Sequence, residues 1–254
     1  MKNSICKNCN NQFCGSYCSN CGQRVIANKR LKFKDIVNDF VDNAFNIHKG
    51  LFYTFWNLII KPGIVGRAFV SGQRKRFTNP VRYLIIAVAI QAFMDYWFLN
   101  PELTEQPDFI SFPFLSENVN NSMANWNHIL ATQYSLIHNL SMILIYPAAF
   151  LVLFKKLKYN FTELLTVNFY YFSTGLILTL FAITVFYGIT GNNIPVPVII
   201  LVTMSYVIWS NMSFFNNEKF LKRLLKVLTA MLFFILFRVF FMVYILSVLF
   251  PINQ

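Results

Sequence analysis

Five long apolar runs follow one another through the last two thirds of the chain. They lie at about 81–99, 134–154, 165–187, 194–215 and 227–250. A helix rises about 1.5 Å per residue, so about 20 residues cross a hydrocarbon core of about 30 Å. The pattern therefore predicts an all-α polytopic membrane protein with about five transmembrane helices over residues 81–254. Upstream, Leu31, Phe33, Ile36, Val37, Phe40, Val41 and Phe45 recur at helical spacing among lysines and aspartates, which predicts an amphipathic helix. The next apolar stretch, 51–60, is too short to span. Two placements suit it: an interfacial or re-entrant segment with Tyr53 and Trp56 at headgroup level, or a helical pair packed on the inner ends of the spans. Residues 26–80 thus form cytosolic or interfacial amphipathic helices and a basic junction, preceded by a polar segment, 1–25.

Composition sharpens this division. Only 13% of residues are charged and 56% are hydrophobic, while the net charge is +12. A soluble domain carries about 25% charged residues. The charge is also uneven. Residues 1–82 hold 14 of the 22 Lys and Arg against Asp35, Asp39 and Asp42. The connections 155–164 and 216–226 are basic, whereas 100–130 has Glu102, Glu105, Asp108 and Glu117 and no cation. Cytoplasmic loops are the ones enriched in Lys and Arg. The start of the chain has no apolar core of signal-peptide type. The expectation is a cytosolic N-terminus, basic loops inside, and, for five spans, an external C-terminus.

All five cysteines fall within 16 residues. Cys6-Lys7-Asn8-Cys9 and Cys18-Ser19-Asn20-Cys21 are two C-x-x-C pairs, the spacing with which tight knuckles present two thiolates each to a tetrahedral zinc ion. Asn10 and Gly22 follow the pairs, and these residue types tolerate the positive φ that a knuckle requires. So short a segment buries little core, and a bound metal would supply the folding energy. A disulfide framework is disfavoured by the odd count and by a reducing compartment. The expected ligands of a small zinc ribbon are Cys6, Cys9, Cys18 and Cys21, with Cys14 left out.

The junction carries turn signals at Pro62-Gly63 and Gly72, then Arg74, Lys75 and Arg76, then Asn79-Pro80, a favourable N-cap and first-turn pair for the first span. The three cations either anchor the chain on the inner face or contact an anionic headgroup or ligand. Cations concentrated beside the membrane argue against a nucleic-acid partner. The head Tyr17-Cys18-x-x-Cys21-Gly22-Gln23, followed by Pro62, Gly63, Gly72, Arg74, Pro80, Tyr83 and Leu84, resembles the bacterial membrane family of domain of unknown function 3667. The resemblance covers mainly residues 6–85. It implies a zinc-ribbon head on several helices in the bacterial inner membrane, and no catalytic residues.

Ionisable residues within spans are functional candidates. Asp95 lies towards the outer end of the first span and Arg238 near the middle of the last, and an intramembrane pair between them is one expectation. No catalytic motif of the HExxH, GxSxG or P-loop type is present. The chain therefore reads as a non-enzymatic, membrane-anchored module whose ribbon binds a protein partner or regulates a membrane process. The alternatives are a small transporter or channel, and a lipid-active enzyme that holds phosphate on Arg74–Arg76.

Overall fold

The computed structural model describes residues 4–24, 30–42, 50–97, 113–132, 135–192, 194–237, 239–240 and 244–250. A two-stranded hairpin, β1 (Ser4–Ile5) and β2 (Gln12–Phe13), opens the chain. The helices are α1 (Phe33–Asp42), α2 (Gly50–Ile60), α3 (Pro62–Ser71), α4 (Pro80–Trp97), α5 (Glu117–Thr132), α6 (Ser135–Leu153), α7 (Phe161–Thr190), α8 (Val196–Phe214), α9 (Phe220–Phe237) and α10 (Ile245–Leu249). The chain is mostly helical; α4, α6, α7 and α8 coincide with the first four apolar runs, and α9 covers the first part of the fifth.

Among the described residues one helix, α7, is long and apolar enough to cross a membrane. The apolar stretches Pro80–Met94, Ile143–Leu153 and Val198–Phe214 are shorter. The last run begins earlier than expected. Its helix starts at Phe220 and takes in Lys222, Arg223 and Lys226.

Side-chain pairings fix the directions of the helices. Tyr83 meets Thr174 hydroxyl to hydroxyl at 3.0 Å, and the Tyr170 hydroxyl donates to the Thr78 carbonyl, so α4 and α7 run the same way. Thr179 meets Thr203 at 2.8 Å across antiparallel α7 and α8. Tyr146 stacks on Phe234 at 4.7 Å, and Lys226 sits 4.6 Å from the centre of the Phe154 ring, so α6 and α9 are antiparallel. One end of the bundle thus gathers 154–163, 214–226 and the start of α4. Phe154 and Phe215 stack there at 3.8 Å. At the other end Trp126 of α5 donates its indole N–H to the Phe250 carbonyl at 2.8 Å. The acid-rich connection, read from sequence as loop, therefore contains a helix.

Local chemistry accounts for the helix starts. Asn79 caps α4 by accepting from the amides of Val81 and Arg82 at 3.0 and 3.4 Å, as its type and position predict. Asn160 and Glu163 form a reciprocal capping box on α7, so Glu163 is a buried cap residue and not a loop charge. At about 45 Å, α7 exceeds a hydrocarbon core. Its first turns lie beyond the start of α4, because Tyr170 already stands level with Thr78.

Residues 50–71 form a helical pair packed on this same end of the bundle. Pro62 does not end the helical structure; it is the first residue of α3. Having no N–H, it cannot donate to the Leu58 carbonyl, and the Tyr206 hydroxyl does so at 3.2 Å. Tyr171 likewise donates to the Pro62 carbonyl at 3.0 Å. Gly63 and Gly66 let α3 lie directly against α8 and α7. A Cβ on Gly63 would fall 2.1 Å from the Ser213 carbonyl oxygen, and one on Gly66 would meet Phe214 and Tyr171 at 3.0 Å. Gly72 ends α3 in the left-handed region at φ 111°. The amphipathic helix expected over 31–45 is α1, with Leu31 just before it and Ile36 buried against the bundle.

Candidate metal centre

The two C-x-x-C pairs fold into matching knuckles. Cys6 N–H donates to the Asn11 carbonyl and Asn10 N–H to the Cys6 carbonyl, both at 2.9 Å. Cys18 N–H donates to the Gln23 carbonyl and Gly22 N–H to the Cys18 carbonyl, at 2.9 and 2.8 Å. Asn10 and Gly22 take φ of 58° and 67°, the positions at which the sequence predicts positive φ. The Tyr17–Arg24 bridge stands to the second knuckle as the hairpin stands to the first.

These knuckles bring four thiols together. The Sγ atoms of Cys6, Cys9, Cys18 and Cys21 all lie within 4.8 Å of one another. Cys6 and Cys21 are 3.5 Å apart, and Cys9 and Cys18 are 3.6 Å apart. Four sulfurs at about 2.3 Å from a tetrahedral metal would be about 3.8 Å from one another, so the set fits a metal ion. No disulfide joins any of the five cysteines, and Cys14 is exposed and outside the cluster. Phe13 packs on Cys6 and Cys18 and shields one side. The Asn11 backbone N–H holds the Cys9 thiol down to about 7, and burial pushes Cys21 up to about 12. The metal-free cluster thus keeps a proton at neutral pH, which a metal must displace.

The cysteine head is not a free appendage. Gln23, buried, donates from Nε2 to the Gly72 carbonyl at 2.9 Å. Its Oε1 accepts from the amides of Arg74 and Lys75 at 3.1 and 3.2 Å. One carboxamide therefore reads the left-handed end of α3 and the two residues after it. Gly22 faces the Lys75 stem at 4.0 Å from where a Cβ would stand. The segment after the head continues the contact. Arg30 donates to the Lys158 carbonyl, and Asn160 donates to the Leu31 carbonyl at 3.0 Å. Asn79 donates to the Ile36 carbonyl at 3.1 Å while it caps α4.

The three junction cations face different groups. Arg74 lies 3.9 Å from the Asp35 carboxylate of α1. Lys75 packs beside Gly22 of the head. Arg76 donates to the Tyr53 hydroxyl at 2.6 and 2.9 Å and lies over the rings of Tyr53 and Phe77. The expected Asp95–Arg238 pair lies outside the described residues, since Arg238 and the side chain of Asp95 are not among them.

Sequence reasoning missed the docking role of Gln23, although the residue follows the second pair directly. It also missed Arg67, which donates to the Ser213 carbonyl and, at 2.8 Å, to that of Phe214. Arg67 thereby satisfies the last carbonyls of α8 with a cation, where the helix dipole favours one. Nothing local to Arg67 signals a partner 146 residues away.

Residues 49–92 match the family described as "Protein of unknown function (DUF3667)". That segment begins just before α2 and ends within α4, so it holds the helical pair, the junction and Gln23's partners. No curated protein and no solved structure matches the chain.

Proposed function

From a chain whose residues 49–92 carry the DUF3667 pattern, we propose a multi-pass protein of the bacterial inner membrane with a cytosolic zinc-ribbon head that binds a protein partner or regulates a membrane process. The observation that carries this reading is the Gln23 clamp, which fastens the head to the stretch leading into α4. A ribbon that only tethered something would not need a buried three-bond contact with the membrane domain. Zinc is the metal of choice for four cysteine thiolates in a closed, tetrahedral, non-redox site. Cys6, Cys9, Cys18 and Cys21 would hold it, and it would supply folding energy to the head rather than chemistry.

Three features support a membrane setting with five spans. Helices α4, α6, α7, α8 and α9 alternate in direction. The basic connections collect at one end with the head. Large apolar side chains such as Phe181, Ile189, Leu201 and Leu236 are exposed along the bundle, which suits lipid and not water. Arg74, Lys75 and Arg76 lie at this same end, which supports a contact with anionic headgroups.

The test compares the full chain with a Cys18→Ser/Cys21→Ser variant, both purified from cells. Native mass spectrometry should find one zinc per wild-type chain and none in the variant, and cross-links from the head to a partner should disappear with the metal. Absence of zinc from the wild type, or an unchanged set of cross-links, would overturn the reading.

A further inference from the structure

Among the described residues, the outward face of the α2–α3 pair is left largely uncovered. Phe52 is 80% exposed, Trp56 62% and Ile64 52%, with Tyr53 and Ile60 beside them. Phe52, Trp56 and Ile60 follow at intervals of four along α2, and Ile64 adds an exposed apolar side chain on α3 just past the Lys61 corner. The opposite face is fixed to the bundle. Thr54 accepts from the Thr78 amide at 2.9 Å near the start of α4, and Leu58 is held by Tyr206 of α8. The pair therefore lies across the basic end of the bundle, from α4 to α8.

Its charges point to one kind of neighbour. Residues 50–94 contain Lys61, Arg67, Arg74, Lys75, Arg76 and Arg82 and no acid. Arg76 lies over the Tyr53 ring at the edge of this face, and Lys61 is exposed at the corner. Aromatic and aliphatic side chains on one side, with cations at the rim, are the chemistry of a helix seated at a headgroup–acyl boundary. The corner also meets the condition for backbone near lipid. The carbonyls of Leu58 and Pro62, beside the proline break, are each given a tyrosine hydroxyl.

We propose that the face formed by Phe52, Tyr53, Trp56, Ile60 and Ile64 is seated in the cytosolic leaflet of an anionic phospholipid bilayer. This rests on the membrane reading given under the proposed function. This face then continues the lipid-facing surface of the spans, and the pair is an in-plane collar around the inner end of the bundle.

The test uses the full chain in mixed phosphatidylcholine–phosphatidylglycerol vesicles whose acyl chains carry bromine, a short-range quencher. Substituting Trp97→Phe, Trp126→Phe and Trp209→Phe leaves Trp56 as the reporter; a sister chain keeps only Trp209, which is exposed on α8. Brominated lipid should lower Trp56 emission about twofold or more, acrylamide should have little effect, and bromine on phosphatidylglycerol should quench more than bromine on phosphatidylcholine. Quenching of Trp209 but not of Trp56, with Trp56 open to acrylamide, would overturn the proposal and give the face to a protein partner. Equal quenching by the two lipids would overturn its anionic part. Quenching of neither reporter would overturn the membrane reading itself. Should the triple substitutions fail to fold, the difference in lipid quenching between the wild type and Trp56→Phe reads the same contribution; no difference would refute the proposal.

Discussion

Removing the carboxamide of Gln23 should loosen the head from the junction without unfolding the head. In the wild type that group closes three hydrogen bonds: one to the Gly72 carbonyl and two from the Arg74 and Lys75 amides, at 2.9, 3.1 and 3.2 Å. A neutral hydrogen bond contributes about 0.5–1.5 kcal/mol net, so the three together stabilise docking by about 2–4 kcal/mol. Water entering the gap in Gln23→Ala would recover part of this, which leaves a loss of about 2 kcal/mol, or about 30-fold in the docking equilibrium. Hydrogen exchange read at single amides on the metal-loaded chain measures it directly. The Arg74 and Lys75 amides should exchange about 10–30-fold faster in Gln23→Ala. The Asn10 and Gly22 amides, bonded within the knuckles, should keep wild-type rates. Gln23→Glu keeps an acceptor for both amides and should preserve most of their protection. Unchanged exchange at Arg74 and Lys75 in Gln23→Ala would refute the clamp. Equal acceleration at Gly22 would show that Gln23 serves the fold of the head instead.

Two further outcomes follow from the same geometry. Gly63→Ala should destabilise the chain by more than about 3 kcal/mol, because its Cβ would strike Ser213 backbone that cannot give way. Gly66→Ala meets side-chain atoms of Phe214 and Tyr171 at 3.0 Å rather than backbone and should cost less, about 1–3 kcal/mol; thermal unfolding in detergent ranks the two, and equal effects would contradict the backbone contact of Gly63 with Ser213. Metal loading should expel protons at pH 7.5, since burial holds Cys21 protonated up to about 12, and affinity should fall as pH drops. Calorimetry in two buffers of different ionisation heat counts those protons, and a count of zero would contradict the thiolate site.

What the sequence determined is what short stretches of chain decide for themselves. Apolar runs at helical length are local, and so are the helices they produced. The C-x-x-C spacing with Asn10 and Gly22 after the pairs dictates two identical knuckles, because a knuckle closes within six residues. Asn79 caps α4 through amides two and three residues on. The uneven distribution of cations likewise needed no coordinates.

The tertiary structure decided whatever depends on groups far apart in the chain. Pro62-Gly63 has the local signature of a turn, yet it opens a helix. Proline fits a first helical position, and the missing Cβ at Gly63 is used by α8, 150 residues away. Gln23 looks like an ordinary polar residue after a knuckle until residues 72–75 are brought to it. Arg67 becomes the C-terminal partner of α8 by the same folding. Arg74 and Arg76 look equivalent in sequence, but α1 offers Asp35 to one and α2 offers Tyr53 to the other. Periodicity records which face of a helix is apolar, and only packing records which neighbour that face meets.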